Sequence, residues 1–163
     1  TLTVIRAGLQ SVPAATFIRL QKLEIVNFSN NQLSSLPTNG LARVRELNLS
    51  HNQLSSLPGW LAHAPLQNLS LAGNRLSQLP DVLLQCGQLQ TLDVSHNDIA
   101  ELPWDLGRLE NLHLLKVDGN SRLSGATLER GKKDQLIDYL RQGVRARVLS
   151  PFLKLITLGK QAL

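Results

Sequence analysis

The chain has one cysteine and no methionine in 163 residues. A lone thiol cannot close an internal disulfide, and small secreted domains usually carry several. The expectation is therefore a reducing setting, intracellular and cytoplasmic. Cys86 has no CxxC partner, so a plain buried or half-buried thiol is expected rather than a redox or catalytic one. Without methionine even at position 1, the chain is expected to be processed, excised or part of a longer product. Aromatic residues make up only 4 %, so the core must be aliphatic. No apolar run approaches the ~20 residues of a membrane-spanning helix. The opening TLTVIRAGLQ lacks the charged, apolar and small-residue regions of a signal peptide.

Charge is also missing from most of the chain. The net +5 arises wholly in residues 128–163, which hold eight Lys/Arg and three Asp/Glu. Residues 1–127 carry nine of each sign and sum to zero. A composition boundary near residue 127 divides the chain into residues 1–127 and a basic segment, 128–163.

What the first part does contain is a repeated phrase. LEIVNFSNNQLSSLP from Leu23 returns as VRELNLSHNQLSSLP from Val44, LQNLSLAGNRLSQLP from Leu66 and LQTLDVSHNDIAELP from Leu89, with a worn copy from Leu112. Asn31, Asn52, Asn74, Asn97 and Asn120 follow one another at 21, 22, 23 and 23 residues. Such a period implies a solenoid, in which each unit buries its apolar face only against its neighbours. There are about six units, and the first is incomplete: LTVIRAGLQSVP matches the repeat only from its middle, with Ala7 at the asparagine position. Further repeats or a cap are expected before Thr1, because a solenoid starting mid-repeat exposes a strand edge.

Within each unit the alternating LxL piece predicts a short strand whose apolar pair points inward. The pairs are Leu2/Val4, Val26/Phe28, Leu47/Leu49, Leu69/Leu71, Leu92/Val94 and Leu115/Val117. Each asparagine follows its strand, where its amide can satisfy turn backbone groups left unpaired. Stacking would line the five amides into a structural ladder, and Asn74→Ala is expected to cost roughly 1–3 kcal/mol. Prolines 37, 58, 80 and 103 start a return limb with room for a turn or two of helix.

LxxLxLxxNxLxxLP at a period near 23 residues resembles the leucine-rich repeat family. Its LP-containing form resembles the cytosolic class of Ras-pathway scaffolds. The resemblance covers residues 1–127. It implies a curved α/β solenoid with a short parallel β-sheet on the concave side and turns or short helices on the convex side. It also implies that the concave sheet binds protein partners. Departures are Ala7, the short unit between Asn31 and Asn52, and an extra residue that puts Leu123 one place late. ATLERGKKDQLIDYLRQG resembles the helix that ends several cytosolic members, here with Leu136, Ile137 and Leu140 as its apolar stripe and Gly143 as its C-cap. That helix is expected to cap the last repeat. A further helix is expected from Ser150–Pro151 to Gly159.

The outward strand positions form rows. The middle row is Thr3, Asn27, Asn48, Ser70, Asp93, Lys116. It is flanked by Thr1, Ile25, Glu46, Asn68, Thr91, Leu114 and by Ile5, Ser29, Ser50, Ala72, Ser95, Asp118. A last row reads Arg6, Asn30, His51, Gly73, His96, Gly119. The candidate partner-binding residues are Asn27, Glu46, Asn48, His51, Ser70, Asp93, His96, Lys116 and Asp118. The face lacks the Trp and Tyr that anchor many interfaces.

Catalysis is not expected. Ser95 and His96 are chain neighbours whose side chains diverge, so with Asp93 or Asp118 they make no triad. His51 and His96 stand two repeats apart, roughly 10 Å, so no shared metal is expected. GATLERGKK from Gly125 misses the phosphate-loop spacing, and no cofactor is expected. Asn27, Asn48 and Asn68 open Asn-x-Ser triplets that the repeat generates by itself, and they are expected to be unglycosylated. Trp60 and Trp104, each close behind an LP, are expected to pack on the convex side. The basic segment offers Lys132, Lys133, Arg141, Arg145 and Arg147 to an anionic partner, such as an acidic protein, a membrane surface or RNA. The expected role is a non-catalytic interaction module of a scaffold or adaptor. The alternatives are an ancillary domain of a larger signalling enzyme, a pathogen effector or immune receptor, or a subunit of a nucleoprotein assembly.

Overall fold

In the computed structural model, residues 1–123 and 135–147 are described. Six short strands lie in chain order in one parallel sheet: β1 (Leu2–Thr3), β2 (Ile25–Asn27), β3 (Glu46–Asn48), β4 (Asn68–Ser70), β5 (Thr91–Asp93) and β6 (Leu114–Lys116). Their register aligns Leu2, Val26, Leu47, Leu69, Leu92 and Leu115 in a single inward column. Val26, Leu47, Leu69 and Leu92 are almost wholly buried, whereas Leu2 on the edge strand is only half-buried. A second column, Leu33, Leu54, Leu76 and Ile99, is completely buried behind the turn. The aliphatic core expected from so few aromatics is thus built of layers, one residue per repeat.

The return limb follows the prolines. Pro58, Pro80 and Pro103 each sit in extended backbone immediately before a five-residue 3-10 turn: Gly59–His63, Asp81–Gln85 and Trp104–Arg108. Fixed φ aims the chain into the turn, and the missing proline N–H is no loss there. Each turn drops one leucine into the core (Leu61, Leu83, Leu106), all fully buried. After Pro13 the limb is a true helix, α1 (Ala14–Arg19). The unit after Pro37, shortest of the set, has no helical turn at all.

The sheet's hydrogen bonding continues past the strands. Phe28, Leu49, Leu71 and Val94 donate N–H to the strand-end carbonyls of the next repeat at 2.7–2.9 Å, and Asn30, His51, Gly73 and His96 do the same two residues later. To keep these donors aimed at the next repeat while the chain turns, the whole last row is left-handed. Arg6, Asn30, His51 and His96 have φ of 53° to 57°, and Gly73 and Gly119 have φ of 66° and 72°. Four residues with a Cβ hold a conformation that usually favours glycine.

Behind this row stands the amide ladder. Asn97 shows the pattern: its Nδ2 donates to the carbonyls of Leu71, Val94 and Ser95, and its Oδ1 accepts from Leu76 N–H at 3.0 Å. Asn31, Asn52, Asn74 and Asn120 repeat it, each joining its own turn to the preceding repeat. Where Ala7 replaces the first asparagine, its backbone N–H donates to Asn31 Oδ1. No buried side-chain polar atom among the described residues lacks a partner.

The second helix, α2, spans residues 136–147 and lies against the last 3-10 turn. Leu136 and Leu140 are buried, as their stripe predicts. Gly143 is not a C-cap, because the helix continues four residues past it. It is there because the Trp104 ring lies directly on it, leaving no room for a β-carbon. Gly107 opens a matching gap on the solenoid side, since a Cβ there would meet the backbone of Leu140 and Arg141 at 2.7–2.8 Å. Tyr139 packs on Trp104 at 5.1 Å, and Arg147 lies over the same ring at 5.7 Å. The expected helix from Ser150 to Gly159 lies outside the described residues.

Cys86 is buried, and its Sγ donates to the carbonyls of Leu61 and Val82 at 3.4 Å. Burial pushes its thiol up from 9.0 to about 11, because the thiolate would lose hydration. The neutral thiol is thus favoured in the folded protein. Stability from this group is complete below the unfolded value and falls as pH rises from 9.0 towards 11. A urea midpoint measured from pH 8 to 11 should decline in wild type and decline less in Cys86→Ala. At pH 8 the native thiol should react with iodoacetamide roughly a hundredfold more slowly than in the unfolded chain.

Candidate functional site

The concave face is the outer side of the six strands. Asn27, Asn48, Ser70, Asp93 and Lys116 fall into one register, and Ile25, Glu46, Asn68, Thr91 and Leu114 into the next. Together they line an open trough of about 350 Å³ running across β2 to β6.

Several of these polar side chains also serve the turns. Asn27 Oδ1 accepts from Ser29 N–H at 2.9 Å. Asn48 Oδ1 accepts from Ser50 N–H and Oγ–H, and Asp93 Oδ1 from Ser95 N–H and Oγ–H, at 2.6–3.0 Å. Thr91 Oγ1 donates to Asn68 Oδ1 at 2.7 Å. This inward pull covers part of the row that the alternation places outward: Ser29, Ala72 and Ser95 are buried. Strand alternation holds through the residue after each of these strands, where Phe28, Leu49, Leu71 and Val94 are buried as it requires, and fails at the next, where the chain is already turning in.

The charges are few. Lys116 Nζ lies 3.8 Å from Asp93 Oδ2. Glu46 is exposed and has no basic partner among the described residues. His51 and His96 lie at the rim, each ring folded over the glycine of the next repeat, Gly73 and Gly119. Ser95 is bonded to Asp93 while the His96 ring turns to Gly119, so the three groups form no relay. Asp118 is exposed beyond the end of β6.

Ile25 and Leu114, 39 % and 45 % exposed, stand four strands apart in the row that contains Glu46. Their residue types alone mark them: both are apolar at an outward position where the intervening repeats are polar. The list of candidates drawn from polar and charged residues passes them over.

The tryptophans are convex. Trp60 stacks edge-on against Phe17 and donates Nε1–H to the carbonyl of Pro37, and Trp104 receives α2. Of the basic candidates, Arg141 is committed to structure. Its guanidinium donates to the carbonyls of Glu110 and Leu112 at 3.1 and 2.9 Å and lies 3.6 Å from Asp138. Arg145 is exposed, and Arg147 is exposed while resting on Trp104. Lys132 and Lys133 lie outside the described residues. No group of three or more potential metal ligands occurs among the described residues, and no helix there is long and apolar enough to cross a membrane.

A parallel sheet with one strand per repeat, an asparagine ladder and a return limb of short turns defines a leucine-rich repeat solenoid. Residues 1–54 match one leucine rich repeat family model and residues 88–109 match a second. The chain is similar to the Leucine-rich repeat and calponin homology domain-containing protein of Drosophila melanogaster, 45 % identical over 60 residues, which is 36 % of this chain and 7 % of that protein. It is also similar to Leucine-rich repeat serine/threonine-protein kinase 1 of Mus musculus, 32 % identical over 117 residues, or 68 % of this chain and 6 % of the kinase. The chain thus spans less than a tenth of the length of these curated relatives.

Among solved structures, the leucine-rich repeat domain of the type III effector XopL superposes with a TM-score of 0.65 at 26 % identity, covering 74 % of this chain and 45 % of that one. The functional domain of InlJ from Listeria monocytogenes gives 0.64 at 18 % identity, covering 76 % and 26 %. Leucine-rich repeats in general are non-catalytic surfaces for protein–protein contact.

Proposed function

We propose that this chain is a non-catalytic protein-binding module of an intracellular, cytoplasmic scaffold or adaptor, of the LP-containing repeat class. In this reading residues 1–127 form the binding solenoid and the basic segment 128–163 caps it. The supporting observation is the trough: five neighbouring strands hold their outward residues, most of them polar, in register on an open face. Cys86, buried and without a thiol partner among the described residues, fits a reducing compartment. A second reading, a recognition domain within a larger signalling enzyme, is favoured by the similarity to the kinase over 117 residues.

Affinity capture tests the surface. Asp93→Lys with Lys116→Asp should weaken the captured partner about tenfold or more. Arg145→Glu with Arg147→Glu should leave it within about twofold. The opposite ranking, with binding that falls steeply as salt rises, would move the site to the basic segment and its anionic partner.

A further inference from the structure

The trough carries two features that a general protein-binding surface does not require. The first is an excess of donors. Asn27 and Asn48 face each other across β2 and β3, and both direct their carbonyl oxygens at serine N–H groups. A serine N–H can only donate, so the orientation of each amide is fixed. Both Nδ2 groups are left without an acceptor among the described residues. The second is spacing. Ile25 and Leu114 belong to one row, four strands apart, and four steps of about 4.8 Å come to about 19 Å. Side chains on one face of an extended peptide recur every ~6.7 Å, so residues i and i+6 span about 20 Å. Residue i+2 then falls between Glu46 and Asn68.

We infer that the trough takes an extended peptide segment laid across the strands. Its apolar side chains, about six residues apart, rest on Ile25 and Leu114. A lysine or arginine about two positions in from the Ile25 end meets Glu46. Carbonyl or other acceptor groups of the peptide meet the Asn27 and Asn48 amides. Charge complementarity favours this occupant, because Lys116 already has Asp93 and Glu46 is the trough's unmatched charge. The peptide adds no strand, since β2 to β5 are paired on both sides. The inference rests on the concave face being the partner surface.

The test is selection of random peptides of roughly eleven residues on the whole chain, followed by fluorescence anisotropy with synthetic peptides. The enriched sequences should carry two apolar residues six positions apart with a basic residue two positions from one of them. Moving one anchor by a single position should weaken binding about tenfold. Ile25→Ser and Leu114→Ser should each do the same. Both residues are exposed, so an unchanged thermal midpoint controls for folding. Glu46→Gln should erase the preference for the basic residue and keep the apolar spacing. Selection of no peptide, of peptides without the spacing, or of peptides indifferent to Ile25→Ser and Leu114→Ser overturns the inference. The broader reading falls only if captured protein is also indifferent to the Asp93 and Lys116 reversals.

Discussion

Asn97→Ala should lower the unfolding free energy by about 3 kcal/mol, a fall of roughly 6–12 °C in the thermal midpoint for a domain of this size. The substitution strips the acceptor from Leu76 N–H and the donor from three carbonyls, all in surroundings that are buried. Alanine puts nothing in their place, and a buried backbone group without a partner costs roughly 1–3 kcal/mol. Asn74→Ala should cost less, because Asn74 is only half-buried and water can replace part of its bonding. Urea denaturation of the two variants beside wild type measures both. Asn97→Ala within about 0.5 kcal/mol of wild type would show that the ladder is ornamental. Each repeat is held only by its neighbours, so the loss should also broaden the transition rather than simply shift it.

Trp104→Ala should release α2 from the solenoid, at a cost of about 3 kcal/mol. Trp104 is where the helix converges: Tyr139 packs on its ring, Gly143 lies beneath it and Arg147 crosses it. Gly143→Leu should reach the same end by collision rather than deletion. Hydrogen exchange of amides 136–147 and trypsin cleavage at Arg145 report the release directly. Arg141→Ala is the milder member of the set, because it removes contacts to the carbonyls of Glu110 and Leu112 but keeps the aromatic seat. Persistent amide protection in both Trp104→Ala and Gly143→Leu would mean that Leu136 and Leu140 suffice to hold the helix.

Periodicity exposes the sheet, its register and the asparagine positions, because every repeat repeats the same physical demand. The pairs from Val26/Phe28 to Leu115/Val117 need only the count of residues between leucines. Contacts made once, between distant segments, leave no such trace. Gly143 reads as a stop signal because nothing nearby in sequence names Trp104 as its neighbour. Ser29 and Ser95 read as exposed because strand alternation is assumed to outlast a strand of three residues. The last row was partly legible: Gly73, Gly119 and Asn30 are residues that accept a left-handed backbone, whereas His51 and His96 conceal it.

That row has a consequence for the modularity of the chain. A β-carbon on Gly73 would stand 2.6 Å from the His51 ring, and one on Gly119 would meet the His96 ring. Histidine and glycine therefore fit as neighbours, whereas two histidines in succession require the first ring to turn away. Removing the single repeat that carries Gly73 would seat His96 beside His51, whereas removing two together restores a histidine next to a glycine. Along this stretch a pair of repeats can be exchanged with every histidine ring left in place, and exchange of a single repeat displaces one.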